Sequence, residues 1–230
     1  GAGDRAFSVG GDLTFESSEE YERTSVNGQV ETQRLLRACS KPIIARVCGY
    51  CIGGGNHLAY FCDFTIASED SIFGQNGPRV GSPADSYIVQ YLARVIGQKK
   101  AREMWMLCRR YTAQEALQMG LVNVVVPKDK IDEEVDKWCH DILSLSPTCI
   151  QILKTSFDQE IDMLRAGTFL TANAMAPGFF MSGEQQEAQN AFFEKRAPNF
   201  LRFRQVKASY EPAEKYSIGF SRIKSFKALR

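Results

Sequence analysis

Three consecutive glycines, Gly53 to Gly55, separate the apolar run KPIIARVCGYCI (residues 41–52) from NHLAYF (residues 56–61). No other feature of the chain constrains its fold as tightly. A glycine run between a buried strand and a helix lets the backbone take positive φ and lets another group approach with no Cβ in the way. At a helix start the first N–H groups have no partner along the chain, and the positive end of the helix dipole adds to them. Such a corner binds an anion, and where the anion is a reaction intermediate it forms part of an oxyanion hole. A second corner, SVGGD with Gly10 and Gly11, follows the strand-like GDRAF and offers a matching donor. The triplet alone also admits a purely structural use, as a tight turn with close strand-helix packing.

The run before the triplet reads as one buried strand entered at Pro42, covered on both faces. A helix over residues 56–61 and a short strand in DFTIAS (63–68) follow. The segment SIFGQNGPRVGSPADS (71–86) reads as a Gly/Pro-rich loop long enough to be functional. Then come helices in YIVQYLARVI and QKKAREMWMLCRR, separated at Gly97. Thr112 and Glu115 form a capping box that opens a further helix, Gly120 closes it, and LVNVVVP (121–127) is a short strand. Upstream, residues 13–28 read as a polar surface loop and residues 29–38 as a helix. Residues 128–200 read as three or four helices. The expected division is an α/β core over residues 1–128, a helical region over 129–204 and a basic tail over 205–230.

With 230 residues and 44% hydrophobic content, the chain is long enough to bury a full core. It has no apolar run of bilayer-spanning length and no signal-peptide layout at its start, so a soluble cytoplasmic protein without a membrane partner is expected. Seven cysteines, an odd number that sit mostly in apolar runs, indicate free thiols and no metal site. Residues 201–230 carry eight Lys/Arg against two Glu, a net +6 that leaves −5 on residues 1–200. Charge alone does not say whether that tail meets nucleic acid, a subunit or a phosphate-bearing ligand. Dinucleotide and P-loop binding are disfavoured, because GGGNHL lacks the last glycine of GxGxxG and no Gly-Lys-Ser/Thr follows.

GDRAFSVGGD, KPIIARVCGYCIGGGN, CDFTIASEDSIFGQNGPRVG, LARVIGQKKAREMW, AQEALQMGLVNVVVP and EAQNAFFEKRAPNF, in this order, resemble the crotonase (enoyl-CoA hydratase/isomerase) superfamily. The resemblance implies an α/β fold, the crotonase-like ββα spiral with a helical C-terminal trimerisation region, assembled as a homotrimer or homohexamer. It implies an acyl-CoA substrate, with CoA present only as part of that substrate and no tightly bound cofactor. The thioester enolate would be held by the N–H groups of Gly11 and Gly54. It also implies that the chain lacks the family's first strands and helix and that the tail beyond about Val206 is extra.

Hydratases of this superfamily carry one catalytic Glu two residues after GGG and another two residues after FGQ. Those places hold His57 and Gly77. FGQNGPRVGS and KKAREMW instead resemble the branch of 1,4-dihydroxy-2-naphthoyl-CoA synthase and 2-ketocyclohexanecarboxyl-CoA hydrolase. In the synthase the matching Gln, Gly and Trp form a bicarbonate pocket, which places Gln75, Gly77 and Trp105 around such an ion. The branch's loop Asp position is Ala84 here, with Asp85 one residue later, and its C-terminal catalytic Tyr is Phe180. Relatives that open cyclic enones keep an Asp in that shifted register, which favours ring hydrolysis over ring closure.

The implied reaction is a reverse Claisen cleavage of a cyclic β-oxoacyl-CoA, with water activated by Asp85, His57 or bicarbonate. Asp85 could equally cap the following helix, and His57 could be a packed, hydrogen-bonded histidine. Tyr87 could replace the lost phenol or simply pack. Arg5, Lys195 and Arg196 could meet CoA phosphates, although cations closing a helix C-terminus are as well explained by its dipole. The competing expectations are the ring-closing synthase, an enoyl-CoA hydratase or isomerase of another type, and a non-catalytic homologue binding RNA or a partner through the basic tail. Nucleic acid is otherwise not expected as a partner.

Overall fold

The apolar run before the glycine triplet is two strands, not one. In a computed structural model, which describes residues 1, 3–12, 14, 32–82, 84, 86–165, 176, 178–179 and 182–203, the chain breaks at Gly49 (φ +67°). Strand β2 (Ile44–Val47) ends before it and β3 (Tyr50–Ile52) begins after it, in a different sheet. The continuous hydrophobic signal arose because Val47, Cys48, Cys51 and Ile52 are all buried, on either side of the break.

Four strands form the first sheet in the order β1 (Ala6–Ser8), β3, β5 (Ile72–Gly74), β6 (Arg110–Thr112). β1, β3 and β5 are parallel, and β6 pairs antiparallel to β5. The second sheet is wholly parallel, in the order β2, β4 (Phe64–Ser68), β7 (Val124–Val126). Parallel strands need crossover connections. Helix α1 (Gly54–Phe61) carries the chain from β3 to β4. The short α2 (Gly77–Val80) follows β5, and the amphipathic pair α3 (Ser86–Ile96) and α4 (Gln98–Leu107) lead to β6. Helix α5 (Ala113–Gln118) starts at the expected capping box, with Thr112 Oγ1 accepting from Glu115 N and Glu115 Oε2 accepting from Thr112 N.

The main core fills the space among the sheets and helices α1, α3, α4 and α5, with Phe73, Tyr87, Leu92 and Met104 almost fully enclosed. A smaller cluster of Cys48, Ile66 and Ile131 lies under α6 (Ile131–Leu143), partly covered by Trp138. Helix α7 (Pro147–Arg165) is tied to the strand entries by Lys154. Its ammonium donates to Asp63 Oδ2 at 2.6 Å and to the carbonyls of Leu36 and Lys41, while the same Asp63 oxygen accepts from Ile43 N. Helix α8 (Gly183–Phe193) starts at Ser182, whose hydroxyl accepts from Gln185 N.

The chain forms two compact units, Gly1–Asn199 and Phe200–Arg230, so the expected core and most of the expected helical region share one unit. The described part of the second unit contains a 3₁₀ turn, Leu201–Phe203, with the Arg202 guanidinium 4.6 Å from the Phe203 ring centre. Residues 205–230, the expected basic tail, lie outside the described residues. All seven cysteines are free thiols. Among the described residues no helix is long and apolar enough to cross a membrane, and no cluster of metal-ligating side chains is present.

Candidate active site

The parallel strands β1, β3 and β5 end along one edge of their sheet, so whatever follows each strand gathers there. After β1 come Gly10 and Gly11, after β3 come Gly53 and Gly54, and after β5 comes Gln75. All five line one cavity of about 480 Å³, together with His57, Gly77, Trp105, Arg110 and the exposed pair Phe192 and Phe193. A volume of this order is ordinary for a small-molecule site.

One wall of the cavity is backbone. Gly10 has φ +104°, and a Cβ built on it would stand 3.1 Å from Gly54 N. A Cβ on Gly54 would stand 3.3 Å from Gly10 Cα and 3.7 Å from Gly11 N. The two glycine corners therefore touch, and side chains at either would wedge them apart. Gly10 N–H donates to Ser8 Oγ, and Gly53 N–H to the carbonyl of Gly74. Among the described residues, neither the Gly11 nor the Gly54 N–H donates to a protein acceptor. Gly54 opens α1, so the helix dipole reinforces its free N–H.

The other wall is made of side chains. His57, on the first turns of α1, sits between Trp105 and Tyr60, with ring centres 5.4 Å and 5.7 Å away. Its Nε2 is 3.2 Å from Gln75 Oε1. Burial pushes the imidazole pKa down to about 4, against the small opposing effect of the Gln75 hydrogen bond, so the ring is neutral at physiological pH. Gln75 Nε2 and Trp105 Nε1 are buried N–H donors with no protein partner among the described residues. An unmet buried donor costs about 1–3 kcal/mol, and two in the lining of one cavity mark a place for an acceptor. Gly77 stands beside them, where a Cβ would lie 2.3 Å from the Ser82 carbonyl oxygen and 3.8 Å from the Trp105 ring. No side chain fits there without refolding the loop.

Charge in the lining is sparse. Among the described residues it is limited to Asp12, whose Oδ1 accepts from Thr14 N, and Arg110, which donates to Gln75 O and Asn76 Oδ1. Burial lowers the Arg110 pKa, and the nearby positive charge of Arg79 lowers it further.

The structure thus brings together Gly11, Gly54, His57, Gln75, Gly77 and Trp105, all singled out in the sequence. Tyr87 is placed elsewhere. It is buried in the core, its hydroxyl accepts from Arg37, and it is not part of the cavity lining. Arg5 is exposed outside the lining, and its carbonyl accepts from Tyr50 N. Arg196 is held by Glu187 and Glu194, two carboxylates that raise its pKa, and Lys195 is exposed with φ +54°; neither lines the cavity. Asp85 and Phe180 lie outside the described residues. Sequence reasoning passed over Arg110. The signal available was the pair Arg109-Arg110 before the capping box, but the three-residue strand that turns one of them towards the cavity was not legible.

A family description, enoyl-CoA hydratase/isomerase, matches residues 1–202. The chain belongs to the enoyl-CoA hydratase/isomerase family. Solved structures agree with the fold. An enoyl-CoA hydratase from Bacillus anthracis is 31% identical, with 86% of this chain and 78% of that one covered and a TM-score of 0.65. A methylmalonyl-CoA decarboxylase in complex with 2-nitronate-propionyl-CoA is 26% identical, with 87% and 78% covered and a TM-score of 0.76. A methylmalonyl-CoA decarboxylase complexed with 2S-carboxypropyl-CoA is 27% identical over the same shares, with a TM-score of 0.77. The crotonase-like α/β fold expected from the sequence is the fold observed.

Proposed function

We propose that this family member is an acyl-CoA enzyme working through a thioester enolate, and that its reaction is hydrolytic ring cleavage of a cyclic β-oxoacyl-CoA such as 2-ketocyclohexanecarboxyl-CoA. The observation that carries the reading is the pair of abutting, unbonded amides at Gly11 and Gly54. Two converging N–H donors stabilise an oxyanion where charge develops, which is often the largest single contribution to catalysis at a carbonyl. The CoA-complexed decarboxylases at 26–27% identity support a thioester as the occupant.

Hydration by two carboxylates fits this cavity poorly. The two hydratase Glu positions are His57, neutral at physiological pH, and Gly77, where a Cβ would collide with the Ser82 carbonyl. Ring cleavage needs something different. Water adds to the ring ketone, and the bond from that carbon to the α-carbon breaks. The electron pair passes into the thioester as an enolate between Gly11 and Gly54, and a proton then reaches the α-carbon. The product is an open-chain thioester ending in a carboxylic acid.

Gln75 Nε2 and Trp105 Nε1, with the bare Gly77 beside them, fit a planar oxyanion such as bicarbonate. Bicarbonate bound there would supply the carboxylate-like base that the hydratase pattern places on its glutamates. The same donor set supports a second reading, the ring-closing 1,4-dihydroxy-2-naphthoyl-CoA synthase reaction, which passes through an enolate of the same kind in the opposite direction. Asp85, in the register of ring-opening relatives, favours cleavage.

Assembly as a homotrimer or homohexamer belongs to the same proposal, supported by Leu143, Leu145, Ile152, Leu153 and Phe157, which stand exposed on and between α6 and α7. Light scattering on the purified chain tests it, and a monomer would refute it. A cytoplasmic location is proposed too, in keeping with seven free thiols.

The activity test is mass spectrometry of 2-ketocyclohexanecarboxyl-CoA after incubation with the protein, with and without added bicarbonate, beside methylmalonyl-CoA and a crotonyl thioester. Gain of one water with ring opening is expected. Hydration of the crotonyl thioester, or loss of carbon dioxide from methylmalonyl-CoA, without ring opening would overturn the cleavage reading.

A further inference from the structure

His57 occupies a place where the hydratase pattern keeps an acid, yet its surroundings suit a different task. The ring is enclosed by Trp105 and Tyr60, which leaves it little freedom to turn. Its Nε2 meets an amide oxygen, Gln75 Oε1, at 3.2 Å. An amide oxygen only accepts, so the nitrogen facing it must carry the proton. With Oε1 so engaged, the Gln75 NH₂ group keeps both of its protons without a protein partner, as the Trp105 indole keeps its own. Reversing the Gln75 amide would remove a donor from the cavity and present an acceptor instead.

We infer that His57 is a positioning residue: in its neutral Nε2–H form it donates to Gln75 Oε1 and so fixes the amide with its NH₂ as a donor, beside Trp105 Nε1, for a carboxylate-like oxyanion in the cavity. This rests on the proposed oxyanion subsite and deepens it. His57 is then not the proton acceptor for water. It sets the polarity of the residue that holds the anion. The lowered imidazole pKa agrees with a permanently neutral donor. The local reason is topological. β3 and β5 are parallel neighbours, so the start of α1 and the residue after β5 emerge side by side.

The test starts from the unaltered full chain labelled with ¹⁵N-histidine. It contains two histidines, and His140→Gln assigns their signals. At neutral pH, long-range ¹H–¹⁵N correlation is expected to show His57 protonated on Nε2 and bare on Nδ1. A Nδ1–H tautomer, which would make Nε2 an acceptor and reverse the amide, overturns the inference, as does an imidazolium. The second readout is the Trp105 indole N–H, one of two indole signals and assigned with Trp138→Phe, titrated with sodium bicarbonate and with acetate. His57→Phe is expected to weaken anion binding about tenfold, while His57→Gln, which retains an N–H donor, stays within about threefold of the parent. Equal affinities in the parent and His57→Phe would refute the positioning role. An indole that ignores both anions in the unaltered protein would refute the oxyanion subsite itself, and the tautomer would then still decide the amide's orientation.

Discussion

The two walls of the cavity present donors in opposite ways. The Gly10–Gly11 and Gly53–Gly54 corners offer main-chain N–H groups held in place by strand ends and a helix start, with no group that titrates. The facing wall offers Gln75 Nε2, from an amide bonded to a buried imidazole, and Trp105 Nε1. The backbone wall suits chemistry common to a family, because any thioester oxygen fits between two amides. The side-chain wall suits what distinguishes one member from another, because a single substitution can exchange carboxylates for donors. Acid sensitivity should therefore belong to the side-chain wall, and sensitivity to loss of a main-chain donor to the backbone wall.

The largest effect should come from Gly55→Ala. Its Cβ would lie 2.1 Å from the Ser8 carbonyl oxygen, so β1 and α1 must separate. A loss of about 4 kcal/mol, or failure to fold, is expected in urea denaturation. A stable variant would mean that the backbone wall tolerates volume. Next, Gly54→Pro removes one donor at the first position of α1, a place that accepts proline, while its ring carbons press on Gly10. Turnover should fall by at least about 10²- to 10³-fold, through the lost donor and the strained corner together. Unchanged turnover would remove the oxyanion role from this amide.

The acid test separates the walls directly. An unfolded histidine takes up its proton near pH 6.5, whereas folded His57 does so only near 4. The unfolded chain therefore binds more protons between those values, and stability falls as pH drops from about 6.5 towards 4. The loss attributable to this residue is about 3 kcal/mol. The fall in urea midpoint from pH 7 to pH 4.5 should be larger in the parent than in His57→Gln. Parallel behaviour of the two would show that the side-chain wall does not set acid sensitivity. The smallest effect should come from outside both walls. Tyr87→Phe removes a hydroxyl that meets Arg37 in the core, so turnover should change by less than about twofold, at a cost near 1 kcal/mol in stability. A hundredfold loss of turnover would restore Tyr87 to the chemistry.

The backbone wall was legible in the sequence, and the side-chain wall only in part. Glycine corners, like the Thr112–Glu115 capping box, are local signals, each written within a few consecutive residues. The three-residue strands β5 and β6 are too short to show a period, so SIFGQNG read as loop and Arg110 as the end of a helix. The break at Gly49 was masked by burial on both of its sides. Gln75 and His57 were each named, yet their bond is set by the pairing of β3 with β5, which no local pattern encodes. Arg196 was expected at a phosphate and is found held by Glu187 and Glu194, because a cation's partner depends on which carboxylates the fold brings near.

The backbone wall can be questioned most directly by difference infrared spectroscopy of an acyl-CoA carrying ¹³C at the thioester carbonyl. If Gly11 and Gly54 both donate to that oxygen, the carbonyl band should move to lower frequency on binding and lose a clear part of that shift in Gly54→Pro. A band at the same frequency free and bound, or one that shifts equally in the variant, would contradict the account.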